Sequence, residues 1–510
     1  MNKYLLPLAA GITLLMASCQ RKAEIPANAA AVTDTVQIYP DYRDIVIPPN
    51  IAPLNIRVTS PGSDFVAAIS GGGQQVLAAA GADGKLEFNP EAWKELLTAA
   101  KGKTLTVEIY AKRDGNWVKH PAYAIQVAEE PIDRYLSYRL IEPSYELYRQ
   151  VGLYQRDLET FEQHIIYENN RTFNEQENHC VNCHNFQSFS TNRMLFHVRA
   201  RHGGTVLVDG QKVEKYKMTT DSTLGNAVYP AWHPTQKLIA FSSNKTGQAF
   251  HLRNNNKIEV VDYGSDLLLF DAGRGTMSNI LKTDDTFETF PAWSPDGTRL
   301  YYCSAYVPQF RDMEEQALTD SILRFYDRIR YDVMYLPFDA ATGSFGTPQP
   351  VVECAARGKS AAVPRVSPDG RFLLYTLGDY GQFHIWHHDC DLWVKNLETG
   401  EEYALAEANS PDVDSYHGWS SNGRWIAFAS RRLDGNYSRA FIAYFDAEGR
   451  AHKAFLLPQR DPEHSLLFTK SYNVPELSRD RVSITPEQFH EAIYADDRMH
   501  TVRYAPTGKR

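Results

Sequence analysis

Phe290-Pro291-Ala292-Trp293-Ser294-Pro295-Asp296-Gly297, followed shortly by the apolar run Leu300-Tyr301-Tyr302-Cys303-Ser304, is the stretch on which the fold turns. The Pro-Asp-Gly corner makes a tight turn whose Gly tolerates a positive φ. The run behind it is apolar throughout, as a strand buried on both faces must be. The pattern returns three times. Tyr229-Pro230-Ala231-Trp232-His233-Pro234 precedes Leu238-Ile239-Ala240-Phe241-Ser242, and Val363-Pro364-Arg365-Val366-Ser367-Pro368-Asp369-Gly370 precedes Phe372-Leu373-Leu374-Tyr375-Thr376. Tyr416-His417-Gly418-Trp419-Ser420-Ser421-Asn422-Gly423 precedes Trp425-Ile426-Ala427-Phe428-Ala429-Ser430. Outer strand pairs follow, as in Asp266 to Asp271 and Asp391 to Gly400. A unit of about four strands repeated in this way is a propeller blade.

Sliding the template upstream finds a degenerate fifth copy. Ser188 to Arg193 stands where the turn belongs, and Met194-Leu195-Phe196-His197-Val198 is its apolar strand. The expectation is an all-β chain with a β-propeller of five recognisable blades over residues 180–457. A sixth blade is left open, built from the C-terminal residues or from the segment before Cys180. The spacing is uneven because 305–330 inserts a helix.

The aromatic, the Ser-Pro-Asp-Gly turn and the apolar strand resemble the repeat of TolB-like propellers over roughly half the chain. That resemblance implies a cell-envelope protein with an envelope protein partner, and no binding residue transfers position by position. Prolyl-oligopeptidase-type enzymes join such propellers to a hydrolase domain. No Gly-x-Ser-x-Gly occurs here, and only about fifty residues follow the last copy, so no catalytic residues are assigned. Glycan chemistry on funnel carboxylates stays open, with no pair to assign.

Outward from the repeat, the N-terminus sets the compartment. Lys3 and the short apolar run Leu5 to Leu15 read as a signal peptide over 1–18, too short to span a bilayer. Met16-Ala17-Ser18-Cys19 resembles a bacterial lipobox, which implies diacylation of Cys19 and an anchor in the membrane, the periplasmic side of the outer membrane being favoured. Residues 19–35 read as a flexible tether and 36–128 as a small β-sandwich with a short helix near Pro90 to Ala100. The aromatic-rich segment 129–179, partly helical in spacing, reads as a connector, and 458–510 as a C-terminal extension. The net charge of −9, without a run of Lys or Arg, excludes a nucleic-acid surface.

One motif carries chemistry. His179-Cys180-Val181-Asn182-Cys183-His184 contains Cys-x-x-Cys-His, the attachment motif of c-type haem. The resemblance to cytochromes c implies that Cys180 and Cys183 bond the haem and that His184 is the proximal iron ligand. A redox or structural disulfide and a metal site are the alternatives; no second ligand pair at zinc spacing accompanies it. Repeat alignment sets His184 level with Phe290, Val363 and Tyr416, near the propeller axis. A haem there lies at the funnel mouth, suited to electron transfer or redox sensing. Candidates for the distal ligand are His417, His202 and Met194. Met194 and His197 are expected on opposite faces of a core strand. His384, His387 and His388 gather near Cys390, where a polar blade loop is the simpler reading than a metal site. Cys303 reads as buried packing.

Overall fold

A computed structural model describes residues 23–142, 150–171, 175–254 and 256–506. The signal peptide, Cys19, and Tyr145, Leu147 and Tyr148 of the expected connector lie outside the described residues. Among the described residues, no helix is long and apolar enough to cross a membrane.

Six antiparallel sheets follow one another along the chain. The second to the sixth each begin with an axial strand: His179–Gln187, Ala227–Trp232, Thr286–Trp293, Ser360–Val366 and Asp414–Trp419. In each, the apolar run of the repeat is the next strand outward, for example Arg299–Tyr306 beside Thr286–Trp293. The first sheet is assembled from both ends of the propeller. Tyr135–Ile141, Val151–Asp157 and Gln163–Glu168 come from the segment read as a connector, and Ser471–Ser478 comes from the C-terminal extension as the axial strand. Both suggested sources of the extra blade therefore contribute to one sheet. Among the described residues of the expected connector the main elements are these three strands rather than helix, and Val151–Asp157 is buried along its whole length, as a strand covered on both faces is. Each axial strand touches the next, and Ser471–Ser478 touches both Asp414–Trp419 and His179–Gln187, so the ring is closed.

The turn chemistry of the repeat is local. Ser294 Oγ donates to Asp296, whose Oδ1 accepts from the Thr298 N–H at 3.0 Å, while the Arg299 N–H returns to Ser294 Oγ at 3.0 Å. Ser367 with Asp369 and Ser420 with Asn422 repeat the arrangement. Gly297, Gly370 and Gly423 close these turns at φ near +70°, a region other residues enter at a cost. Trp293 and Trp419 each donate Nε1–H to a carbonyl of the preceding sheet, Ala231 at 3.1 Å and Arg365 at 3.0 Å.

The rest of the chain covers edges. The C-terminal segments His500–Thr501 and Arg503–Tyr504 add parallel strands to the outer edges of the second and third sheets, which removes exposed edges there. Helix Pro486–Tyr494, held by a capping box between Thr485 and Gln488, buries Phe489 and Ile493 beside the second sheet. The N-terminal 36–128, with Ala30–Ala31, forms a seven-stranded and a three-stranded sheet with helix Pro90–Ala99, and its core is continuous with Trp425, Phe428 and Phe441 of the sixth sheet. Tyr42 and Asn55 bond the carbonyls of Leu456 and Arg460, and Ala30–Ala31 of the expected tether pairs with Val118–Lys119. The insertion between Arg299–Tyr306 and Asp332–Asp339 of the fourth sheet is helical at Glu315–Phe325, as expected.

Ending the chain after Lys470 removes the strand that closes the ring, together with buried Tyr472 and Leu477. We expect loss of the cooperative thermal transition by circular dichroism. A truncated chain that melts like the full one would show that closure does not hold the fold.

Candidate functional site

Each axial strand breaks its ladder at a bulge whose first residue has a positive φ, and His179–Gln187 shifts again between Phe186 and Gln187. These first residues are Cys183, Tyr229, Phe290, Val363, Tyr416 and Val474, with φ between 47° and 53°. The ladder shifts at the same points, between Val228 and Ala231 or Thr289 and Ala292 for example. An extra residue in a strand re-aims side chains. Here it turns six of them toward the axis, where Tyr229 and Phe290 pack with ring centroids 4.3 Å apart. Left-handed conformations cost non-glycine residues about 1–2 kcal/mol, so the ring of contacts must hold them.

Four of the six bulge residues are followed by proline: Pro230, Pro291, Pro364 and Pro475. Proline has no N–H to leave unpaired where the ladder opens. The other two are followed by His184 and His417. The repeat alignment is thereby corrected by one residue: Cys183, not His184, is level with Phe290, Val363 and Tyr416. The second-sheet copy lacks the proline and glycine that anchor the template elsewhere. The equivalence of His184 with His417 and the prolines was legible in the sequence from the residue after each bulge.

Cys183, His184 and His417 line a cavity of about 550 Å³ at the mouth of the funnel. Trp232, Trp293 and Trp419 form much of its wall, and Arg139, Arg199, Arg365 and Arg479 face it with Glu476 as the one carboxyl among its lining residues. Its polar groups are under-used. His184 Nε2, both ring nitrogens of His417, Trp232 Nε1, Arg139 Nε and Glu476 Oε2 are buried without hydrogen-bond partners. Unpaired buried polar atoms cost roughly 1–3 kcal/mol each, so so many around one space mark a place for water or a ligand.

Burial brings both imidazoles down to about 3. It pushes the Glu476 carboxyl up to about 8, although the Phe186 N–H and Asn185 Nδ2 donate to its Oε1 at 3.1 Å. Glu476 Oε2 lies 3.7 Å from His184 Nε2. At neutral pH this contact is between a protonated carboxyl and a neutral ring. The cavity therefore carries the charge of its guanidinium groups, uncompensated by an ionised acid.

A test of the haem motif against these positions divides it. Cys183 and His184 fit: both face the cavity, and the imidazole keeps an unpartnered nitrogen. Cys180 does not line the cavity. Cys180 pairs in register with Arg199 and is half-buried against the core between the first and second sheets, beside Arg139. Burial raises its thiol. Neither cysteine is in a disulfide. His179 is also turned away, bonded to Tyr167 Oη at 2.9 Å.

Of the three distal candidates, His417 alone lines the cavity. Strand Ser471–Ser478 lies between it and the second sheet, so the sheets of His417 and His184 are not the direct neighbours that a five-membered ring would make them. Met194 is fully buried between the first and second sheets, and His197 faces the other way, bonded to Thr205 and beside Phe241. His202 lies in a turn, as expected, but is paired with Asp496 at 2.8 Å and packed on Tyr494.

No protein-family model and no curated protein matches the chain. Among solved structures, the β-propeller domain of the Trilobed protease from Pyrococcus furiosus aligns at 10% identity over 82% of this chain and 98% of that one, with a TM-score of 0.32. A prolyl endopeptidase aligns at 11% identity over 63% of this chain and 42% of that one, with a TM-score of 0.31. An ancestral GH74 enzyme aligns at 8% identity over 84% of this chain and 77% of that one, with a TM-score of 0.21. At such scores these likenesses carry no argument about the site.

The raised carboxyl of Glu476 has a definite pH sign. The folded chain keeps a proton that the unfolded chain releases above its ordinary value of 4.5. Stability therefore falls as pH climbs from 4.5 toward about 8, by at most ~1.4 kcal/mol per pH unit. Glu476→Gln keeps the Oε1 acceptor and removes the ionisation. Its melting temperature should exceed that of wild type by a margin that widens across this window. The histidines act below their ordinary 6.5, destabilising the fold as pH falls, in both proteins alike. A margin that stays constant with pH would mean that Glu476 titrates normally.

Proposed function

We propose that the chain is a lipid-anchored envelope propeller that carries a c-type haem at the mouth of its funnel, in electron transfer or redox sensing. The carrying observation is one cavity that gathers a sulfur, a buried imidazole with a free nitrogen, and four guanidinium groups. Its volume falls in the range of about 300–1,000 Å³ typical of cofactor sites. Haem would supply one-electron chemistry. Cys183 Sγ would hold it covalently and His184 Nε2 would meet the iron. His417, two steps round the ring of axial strands across Ser471–Ser478, is the remaining candidate for a second iron ligand. Arg139, Arg199, Arg365 and Arg479 suit the propionates, since guanidinium pairs carboxylate in a fork. The aromatic wall would keep water from a bound haem. Cys180 lies outside the cavity lining, which supports a single thioether, from Cys183.

A second reading rests on the absence of Cys180 from the cavity lining and of a disulfide between the two cysteines. In it the thiols are independent, and the funnel takes an acidic segment of an envelope protein, drawn by the same guanidinium groups. The chain is then an interaction scaffold.

Protein made in a host competent for haem maturation separates the two. The haem reading expects a Soret band that survives acid-acetone extraction, shifts in His184→Ala, and stays covalent in Cys180→Ala but not in Cys183→Ala. A colourless preparation refutes it and leaves the scaffold.

The anchor is tested apart from the funnel. Cys19→Ser should move the protein from the membrane fraction to the soluble one and abolish incorporation of labelled palmitate. Persistence in the membrane without label would refute lipidation at Cys19.

A further inference from the structure

A turn with three residues per step stacks every third side chain. His384–Trp386 is such a turn, and the spacing His384-x-x-His387-x-x-Cys390 follows that period. One nitrogen of each histidine and the cysteine sulfur lie within 4.8 Å of one another, with all three residues buried. This corrects the reading of the cluster as a polar blade loop. Only His388 behaves so, half-buried and paired with Asp412 at 2.9 Å. None of the three lines the funnel cavity. They belong to the connection between strands Phe372–Gly378 and Asp391–Asn396 of the fifth sheet.

Each donor is prepared in a way that hydrogen bonding alone does not use up. His387 Nδ1 is buried with no partner, while Nε2 of the same ring meets Glu259 Oε2 at 2.9 Å. A carboxylate on the far nitrogen is the support that fixes the tautomer and orientation of a metal-bound imidazole. Glu259 is itself held, by Tyr380 Oη at 2.7 Å. His384 Nδ1 lies 2.9 Å from Thr376 Oγ1, which also reaches the Ala362 carbonyl at 3.2 Å. With the hydroxyl donating to that carbonyl it accepts from Nδ1–H, and Nε2 keeps its lone pair. Without an ion, the reversed hydroxyl lets Nε2–H donate to the Gly381 carbonyl at 3.2 Å. Cys390 is not in a disulfide, and Gly378 leaves room for its sulfur: a Cβ there would stand 2.3 Å from Sγ and 3.5 Å from His384 Nε2.

We propose that His384 Nε2, His387 Nδ1 and Cys390 Sγ form a site for one zinc ion, which fastens the fifth-sheet connection to Glu259 of the third sheet. Two imidazoles and a thiolate are a zinc donor set, with copper as the chemical competitor. Three protein ligands leave the fourth tetrahedral position open. Binding releases the Cys390 thiol proton to solvent as the zinc–sulfur bond forms, and both rings stay neutral. Burial of the thiol favours its protonated form when no ion is present.

The test uses the full chain, stripped with chelator and titrated with Co²⁺, then with Zn²⁺. We expect a cobalt–thiolate charge-transfer band saturating at one ion per chain and erased by zinc. It should be retained in the Cys180→Ser/Cys183→Ser double variant and lost in Cys390→Ser. Glu259→Gln, which leaves all three donors in place, should weaken zinc about 10- to 100-fold and carries the test if Cys390→Ser misfolds. A missing band, a band that disappears with Cys180 and Cys183 instead, or unchanged zinc affinity in Glu259→Gln would each overturn the site. None of these outcomes depends on whether the funnel holds haem.

Discussion

The pairing of Ser471–Ser478 with Tyr135–Ile141 is the contact on which the molecule depends. It joins segments more than three hundred residues apart and turns a row of sheets into a ring. Until it forms, the first sheet lacks its axial strand and the second and sixth sheets each lack a neighbour at the axis. Closure over that separation carries a loop entropy that grows only slowly with length. It also confines the six bulge residues about one axis, where their left-handed backbone would otherwise relax.

Closure also explains the chemistry of the funnel. Glu476 and its neighbours arrive on the closing strand, while Cys183 and His184 arrive on the strand beside it. The carboxyl is pushed up because the same strands that complete the ring leave it only partly exposed to water. Its raised value leaves the arginines with little opposing charge, which suits the anionic groups of the proposed occupants. The two histidines occupy proline positions, the places where a missing N–H would otherwise satisfy the broken ladder. An imidazole there keeps the backbone N–H and adds ring nitrogens that the fold leaves unpaired.

The cluster at His384, His387 and Cys390 is separate from the funnel cavity and has a different logic. Its donors come from one short connection, but its support, Glu259, comes from the third sheet. The long hairpin of Leu238–Phe250 and Ile258–Asp271 must therefore reach across to the fifth sheet before that site is complete. Stacking of Arg431 on Trp386, with its Nε–H on the Ile385 carbonyl, fixes the same turn from the sixth sheet.

By itself the sequence determined the repeat. Ser-Pro-Asp-Gly corners, the apolar strands behind them and the inserted helix are set by local turn chemistry and by burial on both faces, which act over a few residues. The haem-type motif and the His-x-x-His-x-x-Cys spacing were equally legible as strings. Only the tertiary structure decided that the 135–168 strands and the C-terminal strand make one sheet, because strand pairing across the whole chain leaves no local signature. It also decided that Cys183 lines the funnel cavity and Cys180 does not. Whether residues three apart share a face depends on helix or strand, and a one-residue bulge at Cys183 set the direction of everything after it.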